Sequence, residues 1–103
     1  MAKSYFEKIQ LADSLEKAKQ KTQEALMKAG FGPSRWVDQQ QAFYAESPVN
    51  LWSWGEDILV RFQETNQGTE VHFTSSCKLA TQFIDWGKNK KNAKKFINSL
   101  TTL

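Results

Sequence analysis

The chain has 103 residues and a net charge of +3, with 40% hydrophobic and 24% charged residues. This length fits a single domain over 1–103, and the composition is that of a soluble globular protein rather than a disordered one. Its apolar runs fall far short of the ~20 residues of a spanning helix. Residues 1–30 lack the apolar core of a signal peptide, so we expect a cytoplasmic protein.

The sequence is poor in groups that perform chemistry. Cys77 is the only cysteine and His72 the only histidine, which excludes an internal disulfide and leaves too few soft ligands for structural zinc. No glycine-rich phosphate loop, metal-ligand cluster or triad order is present. His72 falls on the polar side of a predicted strand and Cys77 on the apolar side. We therefore interpret them as an exposed histidine and a small core residue, and we predict no enzymatic activity, metal or cofactor.

The first predicted element is a strand over 4–11. Tyr5, Ile9 and Leu11 lie on one side at a period of two, and only Glu7 interrupts that apolar side. Such alternation is typical of a strand that packs one face against a core.

An amphipathic helix is predicted next. Asp13 precedes Glu16 by three residues, which is a variant of the capping box with Asp13 as the capping acceptor. Gly30 permits the left-handed conformation that ends helices, and Phe31 can fold back onto the last turn. Between these signals a stripe recurs at spacings of three and four: Leu15, Ala18, Thr22, Ala25, Leu26 and Ala29.

The middle of the chain predicts three strands. Residues 35–46 are interpreted as one strand, because Phe43 and Ala45 alternate with their neighbours, and 47–50 as a turn. A hairpin is predicted over 56–77, with its loop at 65–69. Its first strand continues an apolar parity that consists of Trp52, Trp54, Ile58, Val60 and Phe62.

The C-terminal segment separates into two arcs on a helical wheel. The lysines at 88, 90, 91, 94 and 95 fill one arc, and Asp85 or Asn89 is the expected N-cap. The resulting fold class is α+β, with a single four-stranded antiparallel sheet, two helices packed on one face, and the order β-α-β-β-β-α. The apolar arc of the last helix consists of Trp86, Ala93, Phe96, Ile97, Leu100 and Leu103.

The lysine-rich arc has three interpretations. Residues 85–103 carry five lysines against one aspartate, a net charge of +4, so the whole positive excess lies there. The arc is either a solvated helix face, or a nucleic-acid contact made by Lys88, Lys91 and Lys95, or a contact with an anionic membrane surface. The absence of arginine from this helix argues against the reading of base edges.

Four tryptophans in so small a chain suggest a binding site. Trp52 and Trp54 share a parity and can reach Trp86 at the start of the last helix, so they form either an aromatic core that closes the sheet edge or an aromatic-lined pocket. We define the tryptophan corner as the candidate ligand-binding residues Trp52, Trp54, Glu56, Asp85, Trp86, Lys88 and Asn89.

The stretches "SWGEDILVRF", "SSCKL" and "TQFIDWGKNKKN" resemble a family of small uncharacterised bacterial proteins. The shared pattern is S-W-G-E-x-I-x-V, a serine-rich strand, and D-W-G-K-N-x-x-N, over residues 53–92. The resemblance implies an α+β domain without an established activity. The residues that match the pattern are Ser53, Trp54, Gly55, Glu56, Asp85, Trp86, Gly87, Lys88, Asn89 and Asn92.

These observations predict a small non-enzymatic domain that binds a small ligand or a protein partner at the tryptophan corner. The alternative is weak binding of nucleic acid or of an anionic surface through the basic C-terminal helix. Either function is compatible with a monomer or a homodimer.

Overall fold

Two helices cover one face of a five-stranded antiparallel sheet in the computed structural model, which describes residues 4–48, 55–78 and 87–103. The predicted α+β class is therefore confirmed. No helix in these three ranges is long and apolar enough to cross a membrane. The elements in chain order are β1 (Ser4–Leu11), α1 (Leu15–Lys28), β2 (Arg35–Val37), β3 (Ala42–Glu46), β4 (Glu56–Thr65), β5 (Gly68–Cys77) and α2 (Lys88–Thr101).

The predicted strand count and element order were wrong in one place. Residues 35–46 form two strands, because a short 3₁₀ turn at Asp38–Gln40 separates β2 from β3. Gln41 ends this turn in the left-handed conformation, and its side-chain amide donates to the Asp38 carbonyl at 2.8 Å. The glutamine-rich stretch is thus a hairpin turn, and the order is β-α-β-β-β-β-α.

The sheet has the strand order β1-β5-β4-β3-β2. The predicted hairpin of β4 and β5 is confirmed, with Thr65 opposite Gly68 across a two-residue loop. β1 pairs with β5, so that Ser4 lies opposite Ser76 and Leu11 opposite Thr69. Among the described strands, β1 and β2 are consequently the two edges of the sheet.

The N-cap of helix α1 lies one residue later than the predicted cap, Asp13. Ser14 is the N-cap, and its hydroxyl accepts from the Lys17 backbone N–H at 3.3 Å. Asp13 instead forms an ion pair with Lys21. The predicted end is confirmed, because the backbone N–H of Phe31 donates to the Leu26 carbonyl at 3.0 Å in the paired pattern that follows a left-handed glycine.

Helix α2 turns Ala93, Phe96, Ile97 and Leu100 of its predicted apolar arc towards the core and its lysines outward, as predicted. The prediction was wrong for Leu103, which lies beyond the end of the helix and is exposed, and Trp86 lies outside the described residues. Phe96 is fully buried and stacks on Phe73 of β5 with ring centroids 4.9 Å apart. The N-cap is Gly87, without a side-chain capping bond. Asn89, one of the two predicted caps, is the second residue of the helix and is fully buried. The other, Asp85, lies outside the described residues.

The core lies between the helices and one parity of each strand. Leu26 of α1 and Phe96 of α2 meet Ile58 and Val60 of β4 and Val71 of β5 there, and all five side chains are fully buried. The opposite parity forms the open face of the sheet, which no described helix covers.

Candidate functional site

At one end of the core, the core-facing positions of the strands and of α2 hold polar side chains instead of apolar ones. Glu56 precedes Ile58 on β4, Ser75 follows Phe73 on β5, and two asparagines occupy the first turns of the inward face of α2. These side chains have almost no exposed surface. We define the buried polar cluster as Ser47, Glu56, Ser75, Asn89 and Asn92.

Ser47 and Glu56 hold each other through reciprocal hydrogen bonds. The Ser47 hydroxyl donates to Glu56 Oε1 at 2.5 Å and accepts from the Glu56 backbone N–H at 2.7 Å. The Ser47 backbone N–H also donates to the Glu56 carbonyl at 3.0 Å. These bonds extend the pairing of β3 with β4 by one step and satisfy polar groups that are costly to bury unpaired.

Asn92 and Asn89 connect α2 to the sheet. The Asn92 side-chain amide donates to Glu56 Oε1 at 2.8 Å and to Ser75 Oγ at 3.1 Å. The Ser75 hydroxyl donates to Asn89 Oδ1 at 2.8 Å, and Asn89 Nδ2 lies 3.5 Å from Cys77 Sγ. The first two turns of α2 are therefore fixed to β4 and β5 by side-chain hydrogen bonds.

The same end of the sheet carries a second network on the open face. Lys78 Nζ bridges the carboxylates of Glu46 and Asp57, lying 2.9 Å from Asp57 Oδ1. The Tyr44 hydroxyl donates to the same Asp57 oxygen at 2.6 Å. Partial burial raises the pKa of Asp57, but the hydrogen bonds from Tyr44 and Lys78 outweigh it and hold that pKa below its usual value. The pKa of Tyr44 is raised, chiefly by burial and then by its bond to Asp57.

The candidate residues have different places in the structure. Glu56 and Asn89 are brought together in the buried polar cluster, where neither has surface for a ligand to touch. Lys88 is the first residue of α2 and is half-buried. The remaining members of the tryptophan corner lie outside the described residues: Trp52, Trp54, Asp85 and Trp86.

The basic residues of the alternative function lie on the outer surface of α2. Lys91 and Lys95 are exposed, and Lys88 lies beside them at the helix start. In the described part of the chain, none of the three forms an ion pair.

The sole histidine and Ser75 lie on opposite faces of β5. His72 points to the open face, with Nε2 2.7 Å from Glu70 Oε1, whereas Ser75 points into the core. That hydrogen bond holds the pKa of Glu70 below its usual value. Among the described residues, no three side chains of the metal-binding types histidine, cysteine, aspartate and glutamate are grouped closely enough to hold a metal ion. His72 and Ser75 therefore do not form a nucleophile–base pair.

No protein-family model and no curated protein matches this chain. The resemblance to the family of small bacterial proteins therefore stays a prediction. Its pattern nevertheless contains Glu56, Asn89 and Asn92, which contribute to one hydrogen-bond network although Glu56 and Asn92 are 36 positions apart in sequence.

Sequence reasoning missed three members of the buried polar cluster as site residues, namely Ser47, Ser75 and Asn92. Two of them carried a usable signal, because Ser75 shares the parity of Val71 and Phe73, and Asn92 matches the motif. Ser47 belongs to a predicted turn, where serine is common for local reasons, and it carried no such signal.

Proposed function

We propose that this chain is a small non-enzymatic domain that binds a small ligand or a protein partner at the tryptophan corner. One observation supports the proposal most. The buried polar cluster holds together the residues that flank segments 49–54 and 79–86, which carry Trp52, Trp54 and Trp86.

In this proposal the buried polar cluster does not contact the ligand but positions the ends of the two segments that carry the tryptophans. Ser47 and Glu56 lie on either side of segment 49–54 and are hydrogen-bonded to each other. Cys77 and Asn89 lie on either side of segment 79–86 and are also in contact through their side chains. The bond from Asn92 to Glu56 connects α2 to β4. A hydrogen-bonded buried network defines geometry more narrowly than apolar packing does. In this proposal Glu56 and Asn89 are positioning residues, and the aromatic side chains and Lys88 contact the ligand.

The test uses the indole N–H signals of the four tryptophans in a ¹H–¹⁵N NMR spectrum. The probe is a library of water-soluble small-molecule fragments, titrated one by one into the full chain. We expect a subset to shift the signals of Trp52, Trp54 and Trp86, together with the backbone amide of Lys88. Trp36 is the internal control, because it packs against Phe43 on β3 at the far edge of the sheet.

A matched pair of variants separates binding from folding. Lys88→Ala removes a half-buried cation at the corner, and Lys95→Ala removes an exposed cation two turns further along α2. We expect the first to weaken fragment binding and the second to leave it unchanged. If no fragment shifts the three indole signals, or if Trp36 shifts equally, small-molecule binding at the corner is wrong.

A second candidate function is binding of nucleic acid or of an anionic surface by Lys88, Lys91 and Lys95. It is supported by the absence of ion pairs to these lysines in the described part of the chain. Affinity for a single-stranded oligonucleotide should then fall steeply with salt, because each neutralised phosphate releases counterions. Lys91→Glu with Lys95→Glu should abolish it. Vesicles of anionic lipid are the parallel probe, and binding that is insensitive to salt contradicts this candidate.

A further inference from the structure

The outer edge of β1 offers a long, regular row of backbone groups. β1 pairs with β5 over eight consecutive residues, and no described strand pairs with its other side. Its sequence, SYFEKIQL, contains neither proline nor glycine, which commonly interrupt such edges. The opposite edge of the sheet, β2, has only three residues. An edge of this length can accept a further strand.

A groove runs between this edge and α2. It encloses about 420 Å³ and is lined by Tyr5 and Glu7 of β1 and by Lys90, Lys94 and Ile97 of α2, with Asn98 at its end. Tyr5 and Ile97 are partly buried against the core and form an apolar floor. A strand next to a helix, with a groove between them, is the arrangement in which extended peptides bind by strand addition.

The charge at this groove selects an acidic occupant. Lys90 and Lys94 are exposed, and neither forms an ion pair in the ranges that the structure describes. Among the described residues that line the groove, Glu7 is the one acid, and its carboxylate accepts a hydrogen bond from the Tyr5 hydroxyl at 3.0 Å. Two lysines against one carboxylate leave the groove with a net positive charge, which favours an anionic peptide.

A second copy of this chain is a poor occupant of the same edge. If β1 paired with itself in antiparallel fashion, with both copies keeping their helices on the same side, residues of the same parity would face each other. Pairing over most of the strand then centres on Glu7 opposite Glu7 or on Lys8 opposite Lys8. Like charges directly opposite each other destabilise a strand pair. Registers that avoid this contact leave at least three of the strand's eight residues unpaired.

We propose that the edge of β1 and the groove beside α2 bind an extended acidic segment of a different protein, which adds a sixth strand to the sheet. Backbone hydrogen bonds along Ser4–Leu11 provide the pairing. Acidic side chains at alternate positions of the segment reach Lys90 and Lys94, and intervening side chains lie beside the exposed Phe6 on the open face. This inference does not depend on the proposed function of the tryptophan corner.

The test selects from a displayed library of ten-residue peptides and then titrates the enriched peptides into the full chain. We expect enrichment of acidic residues at alternate positions. In NMR spectra, the amides of residues 4–11 should shift, and their hydrogen exchange should slow. N-methylation of every second peptide nitrogen can be made in two ways, at the odd or at the even positions of the peptide. One set should abolish binding and the other should have little effect, because only one edge of the added strand pairs with β1.

Two double variants on the same helix provide the matched control. Lys90→Glu with Lys94→Glu reverses the charge inside the groove, and Lys91→Glu with Lys95→Glu makes the same change on the outer surface. We expect the first pair to weaken binding by about tenfold or more and the second by less than about threefold, because charges in contact matter more than distant, screened ones.

Four results would overturn this inference. They are the absence of enriched peptides, enrichment without an alternating acidic pattern, equal loss of affinity in both double variants, and protection of β1 amides by self-association without peptide.

Discussion

The two halves of α2 pack against the same strands in opposite ways. Its C-terminal half inserts Phe96 and Leu100 against an apolar floor that includes Phe73. Its N-terminal half inserts Asn89 and Asn92 against Glu56 and Ser75, with every one of these side chains buried.

The apolar half of α2 mainly contributes free energy of folding, whereas the polar half mainly determines where the helix lies on the sheet. Burial of apolar side chains contributes free energy that depends little on exact alignment. A buried polar network contributes little net free energy, but it becomes costly as soon as one partner is displaced. A slide of α2 by one turn would leave Glu56 without Asn92. The polar half therefore fixes the register of the helix on the sheet.

The largest effect is expected at the apolar half. Phe96→Ala should lower the free energy of unfolding by about 3–5 kcal/mol, because it removes a stacked, fully buried ring and leaves a cavity. Urea unfolding monitored by circular dichroism measures it. Phe6→Ala is the control, since that side chain is 54% exposed, and it should change stability by less than about 1 kcal/mol. Equal losses would contradict the assignment of the core.

The polar half is tested by a change that keeps the branched shape of the side chain but removes its polar atoms. Asn92→Leu should lower the free energy of unfolding by about 2–3 kcal/mol, because Glu56 and Ser75 lose a donor while remaining buried. Asn98→Leu, at an exposed position of the same helix, should stay within about 0.5 kcal/mol of the parent chain. A fully stable Asn92→Leu variant would show that this end tolerates apolar packing.

Removal of a hydroxyl should have opposite signs in the two environments. Thr22 of α1 is fully buried, and its Oγ1 has no hydrogen-bond partner in the described part of the chain. Thr22→Val should therefore raise the free energy of unfolding by about 1 kcal/mol. Ser75→Ala, which removes bonds to both asparagines, should lower it by about 1–2 kcal/mol. Changes of the same sign would contradict the difference between a buried hydroxyl without a hydrogen-bond partner and one inside the buried polar cluster.

The smallest effect concerns the network on the open face. Because the folded pKa of Asp57 lies below its unfolded value, its carboxylate stabilises the fold above about pH 4. This contribution is lost as the pH falls through the folded pKa. On acidification from about pH 5 to pH 2.5, the Asp57→Asn variant should therefore lose less free energy of unfolding than the parent chain. The difference should be under about 1 kcal/mol, because solvent screens this partly exposed group. Urea midpoints across that range test it, with Glu24→Gln on the exposed side of α1 as the control; an identical acid response in parent and Asp57→Asn contradicts it.

Periodicity predicted most of the fold, because it reflects burial directly. The stripe of α1, the hairpin of β4 and β5, and the two arcs of α2 are all confirmed. The single strand predicted over 35–46 was wrong. A turn formed by Asp38 and Gln41 depends on local side-chain bonds and on a left-handed residue other than glycine, which periodicity does not report.

The site was less predictable for a related reason. Glu56 and Asn89 were predicted to be ligand-binding residues of the tryptophan corner. Their positions in the sequence indicate burial instead, since Glu56 shares the parity of Ile58 and Asn89 falls within the apolar arc of α2. Polar residues on the apolar side of three separate elements must either meet or remain unsatisfied. Which of these occurs depends on the tertiary arrangement, and here they meet.

The pairing of the first strand with the fifth has a consequence for biosynthesis. Ser4 finds its partner only at Ser76, so about 72 further residues must be synthesised after Ser4 before that pair can form. Contacts between such distant residues form slowly, because a long loop must close first. During synthesis β1 therefore stays without its neighbour β5 for longer than β3 stays without β4, and its apolar side chains are open to non-native contacts in that interval.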